Sequence, residues 1–383
     1  MRILLMSSPV ATHLMPMVPL VWAARAMGHE VVLLCRPDLV ETARSAGISY
    51  VVLGQRYEEL MRGRRRRSQP AHDEPPWEEL AEAWRTAVGE LWRPAVACAR
   101  KWRPDLVLAD SLEFTAPVVA GLLGVPLVQH RLGVDSWTTR GWPRVREALA
   151  TLCAEAGLPE GLPEPAVVLD PCPPSLQAPA AAPAMPIRFA PFNGVAEVPG
   201  WAMSPPTRRR ICVSFGYRTS AGDELRLARA IVDAVAGLPD VEAVVTISPE
   251  HRGRLGPVVE RVRLVPPTPI NVFVRSCDVV VHHGGSGTGL LAAATGRPQL
   301  VLPVTPWTAE HGERVAAVSA GITIGLAEPQ DDPDQIRAAL RRLLDDGRYA
   351  AGARELAAEM ARMRPLPEVI EHLRRRYADR GVV

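Results

Sequence analysis

The chain has 383 residues, 47% of them hydrophobic and 22% charged, a composition that excludes disorder and a length that exceeds one ordinary core. Two α/β domains of about 150 to 200 residues each would accommodate it. A formal net charge of +2 gives no bulk electrostatic case for nucleic acid or an anionic membrane, and no apolar run approaches the ~20 residues that cross a bilayer.

Strand and helix signals alternate from the start. Residues 2–7 form a buried strand, a helix follows from about Leu14 to Met27, Gly28 stops it, and residues 30–35 make the next strand. A short strand at 49–53 precedes a long polar segment. The arginine run at 62–67 is followed by Asp73, Glu74, Glu78 and Glu79 with no aromatic between the arginines, so a solvated loop is favoured over a nucleic-acid tract. Trp77, Trp84 and Trp92 share one helix face. Core packing is the default for that stripe, and the lining of an apolar pocket is the alternative. Further strands are expected at 105–109, from Val125 to Gln129, and at 211–215, 242–247, 261–265, 278–282 and 299–303.

Strands separated by helices imply parallel sheets. The fold class expected is α/β, two doubly wound Rossmann-like domains facing a cleft, with ligands beyond the carboxyl ends of the strands. The first domain is placed at 1–186 and the second at 208–365. The Pro- and Ala-rich stretch leads into a linker at 187–207, and a helical segment at 366–383 would be free to cross back onto the first domain. Six cysteines show no paired short spacing and read as reduced thiols rather than a zinc site or disulfide framework. Residues 1–6 are too short for a signal peptide, and a cytoplasmic location is expected.

The most informative stretch is 278–288, Asp-Val-Val-Val-His-His-Gly-Gly-Ser-Gly-Thr. A buried strand runs into a small-residue turn and a helix N-terminus, which gathers backbone N–H groups and a positive dipole end where a phosphate can sit. Gly284, Gly285 and Gly287 would let backbone approach an anion, Ser286 and Thr288 add hydroxyl donors, and His282 adds one from the strand end. A tight turn that merely needs glycines is the alternative. His13 follows the first strand, where an imidazole suits a general base at neutral pH; a helix-start histidine bonded to backbone is the competing reading. Asp110 ends a strand and is placed either to hold the second N–H of His13, as in a catalytic triad, or to cap a helix.

Taken together, these features resemble the inverting glycosyltransferases of the GT-B fold, above all the branch that attaches deoxysugars to bacterial antibiotics. The resemblance covers nearly the whole chain, through the opening strand-loop-His-x-x-Pro, Arg103-Pro-Asp-Leu-Val107, Asp170-Pro-Cys-Pro-Pro-Ser-Leu176, Val213-Ser-Phe-Gly216 and the His-His-Gly-Gly-Ser-Gly-Thr run. It implies an acceptor-binding first domain and a second domain that binds the nucleotide sugar. His282, Gly285, Ser286, Gly287 and Thr288 would hold the diphosphate, with Gly216 and Arg218 reaching the same phosphates. Thr268 would read the base through its backbone, and Pro267 stands where relatives often stack a Trp. Leu290 stands where a Glu commonly meets the ribose, consistent with a 2′-deoxyribose donor. Trp307-Thr308 replaces an Asp-Gln pair at the sugar, which suits a sugar with fewer hydroxyls. Glu310, His311 and Arg314 fit either a sugar contact or an exposed helix face.

The activity implied is transfer of a deoxyhexose from a dTDP-sugar to a hydroxyl of an apolar aglycone such as a polyketide antibiotic precursor. His13 would act as base and Asp110 as its support, with Trp137 and Trp142 against the acceptor. No cofactor and no metal are expected, the nucleotide sugar being a substrate. The partners expected are these two small molecules and neither nucleic acid nor membrane, with the chain a monomer or homodimer. C-glycosylation of an aromatic polyketide, a nucleotide-sugar epimerase and a non-catalytic nucleotide-sugar-binding protein remain as alternatives.

Overall fold

The computed structural model describes residues 1–60, 77–135, 137–216, 221–326 and 328–377, so the arginine run at 62–67 and Arg218 lie outside the described residues. The chain divides into two compact units. One comprises Met1–Pro171, Pro179–Gly194 and the chain from Arg364 onward; the other comprises Cys172–Ala178 and Val195–Met363.

The first unit is built on seven parallel strands: β1 (Arg2–Met6), β2 (Glu30–Cys35), β3 (Tyr50–Val52), β4 (Leu106–Asp110), β5 (Leu127–His130), β6 (Val167–Asp170) and β7 (Met185–Pro186). Their order is β3-β2-β1-β4-β5-β6-β7. The second unit has six parallel strands: β8 (Arg209–Ser214), β9 (Val241–Thr246), β10 (Val262–Val265), β11 (Val279–His282), β12 (Gln299–Val301) and β13 (Gly321–Thr323). Their order is β10-β9-β8-β11-β12-β13. Central strands such as β4 and β11 are buried along their whole length, because helices cover both faces of a parallel sheet and leave no polar side to the strand.

The strand order reverses between β1 and β4 in the first sheet and between β8 and β11 in the second. Loops leaving such a pair diverge to opposite faces and open a crevice at the carboxyl edge. His13 follows β1 and Asp110 ends β4; Gly216 follows β8 and the glycine turn follows β11.

The sequence pattern did not reveal β6, β7 or β13. β7 has only two residues and carries Pro186, which suits a sheet edge. β13 opens on Gly321, where an added Cβ would lie 2.2 Å from the Gln299 carbonyl oxygen, so close strand packing there depends on a residue that signals no strand. The linker expected at 187–207 also differs. Ile187 and Phe192 are buried in the first core, and the Phe192 ring meets Trp22 edge-on at 5.3 Å between centroids. Residues 172–178, assigned by sequence to the first domain, cluster with the second. There the Ser175 amide and hydroxyl bond the Glu359 carboxylate, and Arg314 donates to the Ser175 and Leu176 carbonyls. Helix Leu366–Tyr377 belongs to the first unit and sinks Val369, Ile370 and Leu373 into its core.

Candidate functional site

In the first unit the turn after β1 carries His13 inside a short helix, Ala11–Leu14, that continues through a 3₁₀ turn into helix Val18–Ala26. The helical run thus starts earlier than its apolar pattern suggests. His13 Nδ1 lies 3.2 Å from Asp110 Oδ1, with 15% of the His13 side chain exposed and none of Asp110. Asp110 is gripped from several sides. The Ser8 amide donates to Oδ2 at 2.6 Å, the Ser8 hydroxyl reaches Oδ1 at 2.9 Å and Oδ2 at 3.1 Å, and the Leu112 amide donates to Oδ1 at 2.8 Å. Burial alone would raise the Asp110 carboxyl, but the adjacent His13 and the hydrogen bonds from His13, Leu112 and Ser8 hold it below the ordinary carboxylate value. An ionised carboxylate only accepts, so His13 presents Nδ1–H to it, and in the neutral ring the lone pair is then on Nε2. Both expected residues therefore meet, and Asp110 is a partner of His13. Ser8 was missed, because nothing local links a serine to a carboxylate 102 positions away.

His130, the register partner of Asp110 on β5, is buried with its Nδ1 unpaired, and burial lowers its pKa to about 4. The expected acceptor tryptophans belong to an aromatic cluster of the same unit. Trp137 lies 5.9 Å from Trp77 and 5.8 Å from Trp84 between centroids, and Trp142 lies 6.2 Å from Phe114. Trp142 Nε1 is buried and has no hydrogen-bond partner.

In the second unit β11 ends at His282, and helix Ser286–Ala294 starts four residues later from Gly285. No side chain caps this helix, and its first ladder bond runs from the Gly289 amide to the Gly285 carbonyl. The amides of Ser286, Gly287 and Thr288 thus stand outside the ladder at the positive end of the helix dipole. Gly284 has φ +88, and a Cβ there would meet the Thr308 carbonyl oxygen at 2.3 Å; Gly287 has nothing within 4 Å. The two glycines answer different needs: the first is required by the fold, and the second leaves open space over the helix end.

His282 is not the phosphate donor expected from the sequence: its ring is wholly buried and both nitrogens are occupied. Nδ1 accepts from the Gly284 amide at 3.0 Å and Nε2 meets Gln299 Oε1 at 2.9 Å. Thr308 was expected at the sugar as part of the pair replacing Asp-Gln; its hydroxyl instead accepts from the amides of Val304 and Thr305, each at 3.1 Å, and donates to the Thr305 carbonyl at 2.9 Å. It closes a capping box on helix Pro306–Ala317. Trp307 beside it is 37% exposed.

The remaining residues are placed as follows. Gly216 has φ +65 and lies under the His283 ring, 3.1 Å from where its Cβ would be. His283, to which the sequence assigns no individual role, is buried between Gly216 and Gly285 with Nδ1 unpaired, and burial lowers its pKa to about 4. The Thr268 hydroxyl folds back onto the Pro266 carbonyl at 2.8 Å, and Leu290 is core. His311 is neither sugar contact nor exposed face: it is buried against Gln299. The chain does hold one Asp-x-Asp spacing, Asp332-Pro333-Asp334. Asp332 caps helix Pro333–Asp345, and Asp334 pairs with Arg337. Among the described residues no group of three side chains is arranged to hold a metal ion, and no helix is long and apolar enough to cross a membrane.

Residues 22–216 match the family described as erythromycin biosynthesis protein CIII-like, N-terminal domain, and residues 229–375 match its C-terminal domain. The chain belongs to this family. Its relatives include the L-demethylnoviosyl transferase of Streptomyces niveus, 35% identical over 97% of this chain and 96% of the relative. The tylactone mycaminosyltransferase of Streptomyces fradiae is 32% identical over 94% and 89%. Among solved structures, the spinosyn rhamnosyltransferase SpnG complexed with thymidine diphosphate superposes with a TM-score of 0.86 at 35% identity, covering 97% of this chain and 100% of that one. VinC in complex with dTDP gives 0.83 at 29%, with both chains fully covered. This CIII-like protein is accordingly a glycosyltransferase of antibiotic biosynthesis with the GT-B fold, two parallel-sheet α/β domains.

Proposed function

We propose that this CIII-like glycosyltransferase moves a deoxyhexose from a thymidine-diphosphate sugar to a hydroxyl of an apolar natural-product aglycone, inverting the anomeric carbon. The observation that carries the reading is the His13–Asp110 pair. Asp110 occupies Nδ1–H, so Nε2 is the nitrogen left to take the acceptor's proton as the oxygen attacks, and the buried carboxylate stabilises the imidazolium that results. The leaving diphosphate gathers negative charge. The amides of Ser286, Gly287 and Thr288 at an uncapped helix end are already oriented for it, so its departure needs little reorganisation.

Thymidine diphosphate as the donor nucleotide is supported by the ligands named in the SpnG and VinC structures. Trp307 supplies an apolar face in keeping with a sugar short of hydroxyls. Displacement at the anomeric carbon uses two substrates and invokes no further cofactor. The test is to incubate the protein with a dTDP-deoxysugar, with and without an apolar phenolic or macrocyclic alcohol. Nucleoside diphosphate released only with the alcohol, and a product of inverted anomeric configuration by NMR, are expected. Release without an acceptor, retained configuration, or full turnover by His13→Ala would each defeat the reading.

A further inference from the structure

Three side chains beneath the glycine turn are buried, polar and used by none of the steps above: His282, Gln299 and His311, each no more than 2% exposed. Gln299 Oε1 receives His282 Nε2 at 2.9 Å and His311 Nε2 at 3.1 Å. The Gly284 amide fixes how the protons are arranged. It can only donate, and it points at His282 Nδ1 from 3.0 Å, so that nitrogen must hold a lone pair and the ring proton must sit on Nε2. Nε2–H then requires an acceptor, which orients the Gln299 amide with its oxygen toward both histidines. The flipped amide would force a proton onto Nδ1 and set two donors against each other at Gly284. Gln299 lies opposite Val280 on the neighbouring strand, two residues before His282 and on the same face, so the sheet register delivers it to this position.

The same group braces the turn from behind. The His311 ring fills the space above Gly289 on helix Ser286–Ala294, with Nε2 2.2 Å from where a Cβ would sit, and the Thr308 carbonyl fills the space above Gly284. His311 and Thr308 are one turn apart on helix Pro306–Ala317. The helix that touches Gly284 therefore also supplies the second donor to Gln299.

We infer that Gln299 is a positioning residue for the donor diphosphate: by holding His282 in its Nε2–H tautomer it leaves Nδ1 to anchor the Gly284 amide, and so sets the angle of the turn that presents the amides of Ser286, Gly287 and Thr288. The inference rests on the donor-site reading given above. Gln299→Leu keeps the volume and removes the oxygen, so two buried N–H groups lose their acceptor and His282 no longer has a reason to prefer one tautomer. At His282 itself, Asn places an amide oxygen near the Nδ1 position, whereas Leu places nothing there.

The experiment is calorimetric titration of the full chain with thymidine diphosphate, alongside ring-nitrogen NMR of His282. Wild type is expected to bind and to show the Nε2–H tautomer. Gln299→Leu should bind about 10- to 100-fold more weakly, on the scale of leaving buried donors unpaired, with a mixed tautomer signal. His282→Asn should bind better than His282→Leu, an ordering that a merely structural role would not produce. If wild type does not bind, the donor-site reading fails and takes this role with it. If wild type binds and Gln299→Leu binds equally, the relay alone is wrong. Should Gln299→Leu not fold, the wild-type spectrum decides, and a proton on Nδ1 overturns the proposal.

Discussion

Gly284→Ala is the sharpest test of how the glycine turn is built. The residue sits at φ +88, and the new Cβ would lie 2.3 Å from the Thr308 carbonyl oxygen, 2.9 Å from Thr308 Cβ and 3.0 Å from its carbonyl carbon. The left-handed backbone costs an L-residue about 1–2 kcal/mol. Forcing apart a packed contact costs about 1–3 kcal/mol more, and the atoms in the way are the backbone carbonyl and Cβ of Thr308 in a helix turn locked by its own capping box, so they yield little. The sum is roughly 2–5 kcal/mol. For a unit of this size a kcal/mol lowers Tm by about 2–4 °C, so the transition containing the second domain should fall by about 4–20 °C. The assay is thermal unfolding without nucleotide, which keeps ligand linkage out of the comparison. Gly287→Ala is the control. It has open space around it in the first turn of a helix, and alanine there should leave Tm unchanged or raise it by the equivalent of less than about 1 kcal/mol. A Gly284→Ala protein melting within a degree of wild type would refute the reasoning, as would Gly287→Ala falling equally far.

Gly287→Ala should nonetheless weaken binding of thymidine diphosphate while its Tm holds, because the added methyl occupies the approach to the helix end; unchanged affinity by calorimetry would place the anion elsewhere. His13→Ala should lower kcat by about 10²- to 10⁴-fold, the range of a lost general base, with little change in nucleotide affinity, as steady-state kinetics and calorimetry will report. Asp110 has a native pKa below its unfolded value, so its contribution to stability is complete above pH about 4 and is lost as pH falls through the lower native value. The stability gap between wild type and Asp110→Asn, measured by denaturant unfolding, should therefore narrow below pH 4. His130, His283 and His311 act in the same direction at higher pH: each stays neutral in the fold, with a pKa of about 4 because it is buried, whereas the unfolded chain protonates them near 6.5. Stability should fall as pH drops from 6.5 towards 4 and flatten below, by on the order of 2–3 kcal/mol per histidine. Equal denaturant midpoints at pH 7 and pH 4.5 would contradict this.

Much of the arrangement was legible because period and position speak directly. The apolar runs of β4 and β11 announce themselves, and the aspartate or histidine that closes each at its carboxyl end is placed by topology before any coordinate is known. What was not legible depends on partners distant in sequence. His282 looks like a free donor until Gln299, 17 residues on, is seen to occupy it. Of the two adjacent histidines, His283 is the one left with an unpaired nitrogen, which sequence alone does not distinguish from His282. The cap on helix Pro306–Ala317 is readable in principle from Thr305-Pro-Trp-Thr308, although a Thr at the third helical position is a weaker capping-box signal than Glu or Gln. Short strands such as β7 and β13 fell below the length at which alternation can be recognised.

The helix Leu366–Tyr377, whose Val369, Ile370 and Leu373 complete the first core, has a consequence for biogenesis. During synthesis the opening strands emerge early, yet an apolar piece that seals them is translated only after the whole second unit. The second domain is therefore fully synthesised while the first still has an open flank, reversing the usual order in which N-terminal domains finish first. A ribosome-stalled chain lacking this helix would hold its first unit incomplete, and deleting the helix would harm the opening strands, which are far from it in sequence.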